Sequence, residues 1–499
     1  MNSFEDFYKS MGFTEYPFST FTTENEKGKE KELFVSPSCY SPIIQNYKEK
    51  NTILLTGDRG TGKTAILLDF IRNTDLTKTL YCRIEDYSKL RENYSLTEFY
   101  KFLITNISVT LFEKLSVSQK RINKLTDDEK VLLSYLLKNF VPVVSKRLLK
   151  TKIENIQIPK YKRFITKLFN RSRPILNYGA TTGGVFIEEY LTKHFKALPP
   201  IDREINIKDF FPELPLTVDE DFETIEVGFQ LLNDLVEIIY KMGFDRVICL
   251  LDKLDEDSRL ENDAEYISSF VEPILTDNKL LLNDKLQLII SLWVTPFNYL
   301  LDKVRTQKHY CPKLQWDKND LEKALNERLK TYSNSKISDY KSLFSNEYTD
   351  IEFEQIFHLS NSNPRDLWHL FDKLFYTQHA LNSNSENITL NALNVAIERF
   401  VLDFNYFEYY PKKKNARANS MDFYSYTAHL LKLDDYIFTK NQLNEQAGTG
   451  GSTNNYVIGM EKIGLIVKHS QEGGIVSYRI SDPKVKYALI NGISIERKQ

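Results

Sequence analysis

From Gly57 to Thr64 the chain reads Gly-Asp-Arg-Gly-Thr-Gly-Lys-Thr, which fits G-x-x-x-x-G-K-S/T at every fixed position. The apolar run Ile53, Leu54, Leu55 precedes it, short enough for a buried strand. Ala65, Ile66, Leu67, Leu68 and Phe70 follow without a breaker, as a helix would. Strand, loop and helix in that order form a phosphate-binding loop. Its glycines let backbone N–H groups close around a polyphosphate, and the helix N-terminus adds a favourable dipole. Lys63 can reach the β and γ phosphates and the Thr64 hydroxyl can ligate Mg²⁺. Residues Gly57, Asp58, Arg59, Gly60, Thr61, Gly62, Lys63 and Thr64 are therefore the expected binding site for a nucleoside triphosphate.

A site of this kind needs a second strand that ends in an acid. Arg246 to Asp257 reads Arg-Val-Ile-Cys-Leu-Leu-Asp-Lys-Leu-Asp-Glu-Asp. A strand buried on both faces would deliver Asp252 at its C-terminal edge, beside Thr64, as a ligand of the Mg²⁺ shell. Asp255 and Glu256 follow on the exit turn, and either could orient or deprotonate the attacking water. A further apolar run, Leu286 to Leu292, carries Ser291 near its end. That hydroxyl either meets the γ-phosphate or caps the strand. Tyr299 to Arg305 looks helical, and Arg305 is a candidate phosphate-sensing finger or a surface salt bridge. Thr79 to Ile84 reads as one more strand.

Residues 1–50 hold aromatic anchors in what reads as irregular backbone: Phe13, Tyr16, Phe18 and Phe34. They suit either a flap that contacts the base or a strap that only packs. Between the strands, residues 96–240 carry helical spacings such as Leu96, Phe99, Tyr100, Leu103 and Ile107, and a span this long is no loop. Looser connections are expected near Tyr178 to Gly184 and Leu198 to Asp219. Lys146 to Arg173 holds ten basic residues against the single acid Glu154, with Tyr161, Phe164 and Phe169 interleaved. That run is either a surface for DNA, RNA or another anionic partner, or a solvated helix face.

After Asp317, Leu321, Leu325 and Leu329 open an all-helical segment. In it Asn363-Pro364-Arg365 reads as a helix start, with Arg365 in the first turn. Arg365 either reaches the nucleotide from a lid or pairs on the surface. A basic linker, residues 411–417, leads to helix, helix, helix and hairpin, the winged-helix order, which serves groove reading or an interaction module.

Composition excludes less than the motifs do. In 499 residues, 66 Lys and Arg nearly balance 68 Asp and Glu, so only a local patch could bind an anionic polymer or surface. The four cysteines are far apart, which fits a reducing compartment. No apolar stretch approaches the roughly 18 residues that span a bilayer. A cytoplasmic protein with no membrane contact is expected.

The order of these parts resembles the AAA+ and STAND branch of P-loop ATPases, most of all bacterial relatives of origin-recognition ATPases that act as switches in conflict and signalling systems. Gly57 to Thr64 is similar to the Walker A motif and Leu250 to Asp252 to the end of Walker B. Asp252-Lys253-Leu254-Asp255-Glu256 resembles the Asp-x-x-Asp-Glu pattern of NACHT-type members. The resemblance implies sensor roles for Ser291 and Arg365, with Asp255 and Glu256 supporting hydrolysis. It covers nearly the whole chain except the helical insertion, and with that insertion the expected fold is α/β: a P-loop NTPase core with a parallel sheet, a large helical insertion, a helical lid and a C-terminal winged helix. The expected bounds are 1–50 for the strap, 51–95 and 241–316 for the core, 96–240 for the insertion, 317–410 for the lid and 418–499 for the winged helix. The implied activity is that of an ATP-binding, ATP-hydrolysing switch with Mg²⁺ as cofactor, in antiviral defence or signalling. Its expected partners are ATP and ADP, further copies of itself and a separately encoded effector. The alternative is an ATP-dependent DNA-binding protein of the replication-initiator or loader type.

Overall fold

In the computed structural model, residues 2–26, 28–141, 224–415 and 420–497 are described. The basic run Lys146 to Arg173 and the connections expected near Tyr178 to Gly184 and Leu198 to Asp219 lie outside them. The fold is mixed α/β, with a parallel four-stranded sheet. Its strands are β1 (Ile53–Gly57), β2 (Thr79–Ile84), β3 (Arg246–Leu251) and β4 (Leu286–Trp293), in the order β1-β4-β3-β2. The residues of β1 and β4 are buried throughout, and those of β3 from Val247 on. Continuous apolar runs are what strands covered on both faces require.

The chain forms two compact units: Met1–Asn73, Asp252–Glu272 and Ile290–Gln499 make one, Thr74–Leu251 and Pro273–Ile289 the other. In the second unit β2 and β3 pair in parallel, Thr79 opposite Arg246 through Ile84 opposite Leu251. The helices Leu96–Val117, Asp127–Phe140 and Ile225–Lys241 belong to it. Ser95 and Thr126 start the first two with reciprocal capping boxes to Glu98 and Glu129. Arg121 donates to the Gly243 carbonyl at 2.7 Å, tying the turn before β3 to the helical layer.

In the first unit, β1 has a neighbour that the apolar pattern alone does not define as a strand. The Leu54 N–H donates to the Tyr310 carbonyl and the Thr56 N–H to that of Pro312, both at 2.9 Å, while the Leu314 N–H returns a bond to Thr56 at 2.8 Å. The stretch expected to be helical from Tyr299 to Arg305 is instead a series of turns after a short helix, Val294–Asn298. Leu300 and Val304, four apart, are buried without a continuous helix between them. Arg305 is left exposed.

Residues 1–50 are less irregular than expected, since they hold helices Phe4–Ser10 and Tyr40–Lys48. A Ser3–Asp6 capping box starts the former. Phe7, Phe13 and Phe18 are at most 3% exposed. They pack on the helix Pro364–Leu381: Phe18 lies 5.3 Å from Phe371 between ring centres, and the Tyr16 hydroxyl donates to Asp372 at 2.8 Å. Burying each ring is worth about 1.5–3 kcal/mol, so this terminus is anchored.

The helices Lys318–Tyr332, Asp350–Leu359, Pro364–Leu381 and Leu390–Asp403 follow. The C-terminal residues form helix Phe423–Leu430, β5 (Ile437–Thr439), helices Lys440–Ala447 and Thr453–Lys462, β6 (Ile466–Glu472), β7 (Ile475–Ile480) and helix Pro483–Ile490. The three strands form an antiparallel sheet in the order β5-β7-β6. Two of these elements, β5 and the last helix, were not expected from the sequence pattern. Among the described residues no helix is long and apolar enough to cross a membrane.

One charge in this unit is fully enclosed. Lys484, with no exposed surface, donates to Asp366 at 3.0 Å and lies 3.8 Å from Asp482 and 4.2 Å from the Phe404 ring centre. Burial disfavours its charge, but the two carboxylates outweigh burial and raise its pKa. Replacing Lys484 with Met leaves both acids uncompensated and should cost about 3–5 kcal/mol. Urea unfolding at neutral pH checks this, and an unchanged midpoint would contradict it.

Candidate functional site

The loop between β1 and the helix Lys63–Arg72 turns on two left-handed glycines. Gly60 has φ +83° and Gly62 φ +86°, a region costly for other residues. Space at Gly60 is also closed, since a Cβ there would stand 2.7 Å from Asn363 Oδ1 and 2.8 Å from Arg365 Cβ. The Trp316 indole N–H donates to the Thr61 carbonyl at 2.8 Å and the Thr61 hydroxyl to that of Asp58 at 2.7 Å. These bonds hold the loop in a curve from which the first N–H groups of the helix emerge.

A cavity of about 410 Å³ opens over this curve. It has the size of a small-molecule site. Gly60, Gly62, Lys63, Thr64, Asp252, Asp255, Glu256, Ser291 and Arg365 all line it. Residues far apart in sequence thus meet around one space within the first unit. Gly57, Asp58 and Thr61 shape the loop behind it, and Arg305 lies away from it.

The charges have distinct environments. Lys63 Nζ donates to the carbonyls of Gly57 at 3.0 Å and Asp58 at 2.9 Å. Burial lowers its pKa, opposed by the nearby Asp255, Asp58 and Asp252. Burial raises that of Asp58. The Thr64 hydroxyl donates to Asp252 at 3.3 Å, and Asp252 is 2% exposed. These adjacent oxygen donors fit Mg²⁺, which takes one or two protein oxygens and fills its shell with water and phosphate. Among the described residues there is no cluster of three or more His, Cys, Asp or Glu side chains able to hold a metal, so this pair is what those residues offer to such a shell.

Asp255 and Glu256 differ although they are neighbours. Arg59 Nε donates to Asp255 Oδ2 at 2.8 Å. Glu256 faces the cavity, and its pKa is raised by burial and then by the negative charge of Asp255. Ser291 closes the floor at 2% exposure.

Arg365 is placed by its helix start. Asn363 accepts from the Arg365 N–H at 3.0 Å, and Pro364 supplies the first helical position. The Asn363 amide also donates to the Arg59 carbonyl at 2.7 Å and to the Tyr409 hydroxyl at 2.9 Å. Arg365 Nη1 lies 3.8 Å from Glu408, while its buried Nε has no hydrogen-bond partner among the described residues.

Phe34, one of the expected aromatic anchors, lines the cavity. Other lining residues were not singled out in the sequence: Phe21 to Glu26, Glu30 and Leu33, and also Ala324, Arg328 and Trp368. Arg328 pairs with Glu26 at 2.6 Å and donates to the Thr20 carbonyl at 2.9 Å, fixing the stretch from Thr20 to Glu26 to the helix Lys318–Tyr332. Lys253, at φ +59°, pairs with Glu24 at 3.2 Å. The helical spacing of Arg328 with Leu325 and Leu329 was visible, but its partners lie about 300 residues away.

Asn363→Asp keeps the acceptor that caps the helix but loses both donated bonds. Helix content by circular dichroism should stay unchanged while stability falls by about 1–3 kcal/mol in urea melts. Wild-type stability would contradict these roles.

No protein-family model matches the chain, and no curated protein matches it. It is similar to several solved structures. One is the Walker-type ATPase PABY2304 of Pyrococcus abyssi, at 14% identity over 95% of this chain and 100% of that chain, with a TM-score of 0.40. Another is the ORC2 protein of Aeropyrum pernix in ADPNP-ADP complexes, at 8% identity over 93% of each chain and a TM-score of 0.37. A third is Drosophila ORC bound to DNA, at 10% identity over 92% of this chain and 96% of that chain, with a TM-score of 0.29. At these scores the assignment of the site rests on its own residues.

Proposed function

We propose that the chain is an AAA+-like ATPase that uses ATP and Mg²⁺ as a molecular switch. The observation that carries this reading is the meeting of Lys63, Thr64, Asp252 and Glu256 around one cavity at the ends of the core strands. Lys63 would exchange its loop carbonyls for the β and γ phosphates. Thr64 and Asp252 would hold Mg²⁺, which supplies charge neutralisation on the phosphates when bound. Glu256 would take a proton from water as the water oxygen bonds to the γ-phosphorus, and the bond to the bridging oxygen breaks with its electrons leaving on ADP. Lys63 and Arg365 would balance the charge on the transferred group, with Ser291 near the water. Phe21 to Glu26, Leu33 to Val35 and Trp368 would enclose the rest of the nucleotide.

The switch half of the reading is supported by a chain of polar contacts within the first unit. The Arg59 carbonyl binds Asn363, Asn363 binds Tyr409, Tyr409 binds Asp366, and Asp366 binds Lys484 at the start of the last helix. This chain of contacts supports a coupling of the loop to the expected lid, 317–410, and to the expected winged helix, 418–499. The motif resemblance to STAND and NACHT proteins supports a role in bacterial antiviral defence or signalling, through oligomerisation or a separately encoded effector. The replication-initiator reading is favoured by the exposed Lys468, His469 and Arg479 on β6 and β7, near a helix that exposes Asn454 and Asn455. Gel-shift titration at two salt concentrations separates the two: initiator-type binding weakens steeply with salt.

Lys63→Ala should abolish tight ATP binding by calorimetry, and unchanged affinity would sink the site. Glu256→Gln should bind ATP but hydrolyse it about 10²- to 10⁴-fold more slowly in single-turnover assays. The base is active only when ionised, so the raised pKa of Glu256 should make the wild-type rate fall, as pH drops, at a pH above the ordinary glutamate range. A flat profile down to about pH 4, near the ordinary glutamate pKa, would contradict Glu256 as the base.

A further inference from the structure

The two acids that follow β3 stand in unequal positions, and the cause lies in the phosphate-binding loop itself. Arg59 binds Asp255 twice, Nε to Oδ2 at 2.8 Å and Nη2 to the backbone carbonyl at 3.0 Å. Nη1 donates to Asn262 Oδ1 at 2.6 Å, and the guanidinium lies 4.2 Å from the Trp293 ring centre. Every nitrogen of the guanidinium thus has a partner inside the first unit. The side chains of Arg59 and Asp255 are 14% and 9% exposed. Taking the pair apart would strand a charge away from water, so it is held firmly. Glu256 also lines the cavity, but among the described residues its carboxylate makes no ion pair.

We propose that Arg59 is a positioning residue that decides which carboxylate activates water: by pairing with Asp255 it withholds that acid, and the role falls to Glu256. This rests on the ATP-hydrolysis reading. The water oxygen bonds to the γ-phosphorus, its proton passes to the Glu256 carboxylate, and the bond between the γ-phosphorus and the bridging oxygen breaks with its electron pair going to ADP. Asp255 stays paired with Arg59 throughout. Without Arg59, Asp255 is a second carboxylate lining the same cavity, free to accept the proton.

The test is single-turnover ATP hydrolysis by the full chain, with calorimetry to confirm ATP binding, in a set of combined substitutions. Glu256→Gln in the wild-type background should slow hydrolysis about 100-fold or more. In an Arg59→Ala background the same change should cost less than about tenfold, because the released Asp255 substitutes. Adding Asp255→Asn to that pair should restore the full loss. A residue that only supports the fold would scale all rates together and leave the cost of Glu256→Gln unchanged. An equal cost in both backgrounds overturns the proposal. If Arg59→Ala fails to fold or to bind ATP, Arg59→Lys is used. A single ammonium cannot hold Asp255 by two bonds and Asn262 by a third, so the cost of Glu256→Gln should fall by about threefold or more, and an undiminished cost overturns the proposal. Should Glu256→Gln leave hydrolysis unchanged in the wild-type background, Glu256 is not the base and the proposal is overturned, whereas a wild-type chain that binds ATP without hydrolysing it fails the hydrolysis reading instead.

Discussion

The guanidinium of Arg59 ties three parts of the chain together. Its nitrogens bind Asp255 and Asn262, and the carbonyl of the same residue accepts from the Asn363 amide. Asn262 in turn donates to the Phe407 carbonyl. The loop, the acid-bearing turn and the start of the helix carrying Arg365 are therefore joined through one residue. The bonds of the guanidinium are charge-assisted and partly buried, the kind that lose most when one partner is removed. Gly60 fits the same constraint, since a side chain there would strike Asn363 and Arg365.

A second enclosed charge extends this order toward the C-terminus. Asp366, next to Arg365, shares Lys484 with Asp482, and Tyr410 donates to Asp482 at 3.0 Å. Tyr409 bridges Asp366 to Asn363. Polar groups buried in this way restrict the arrangements that satisfy them all, because an unmatched partner carries a high cost.

Much of the core was legible because local chemistry decides it. The runs at residues 53–57, 79–84, 246–251 and 286–293 are mostly apolar and short, and each is a strand. The helix start at Pro364 could be read from Asn363 and the proline alone. Other features depend on pairings that no local pattern encodes. Arg59 and Asp255 are 196 positions apart, so two acids that looked equivalent on the exit turn differ in the folded chain. The third strand of the C-terminal sheet, β5, is three residues long and has no periodicity to detect. Tyr299 to Arg305 misled because Leu300 and Val304 show helical spacing, which successive turns also satisfy. The Phe4–Ser10 helix was obscured by the density of aromatics around it, although Ser3 and Asp6 carried its capping signature.

The arrangement of the site is tested most directly by a crystal structure of the Glu256→Gln protein with ATP and Mg²⁺. The γ-phosphate should lie beside Lys63, with a water between the introduced amide at position 256 and the γ-phosphorus, and Arg59 should still be paired with Asp255. Nucleotide bound elsewhere, or Asp255 freed from Arg59 and turned onto the water, would contradict this arrangement.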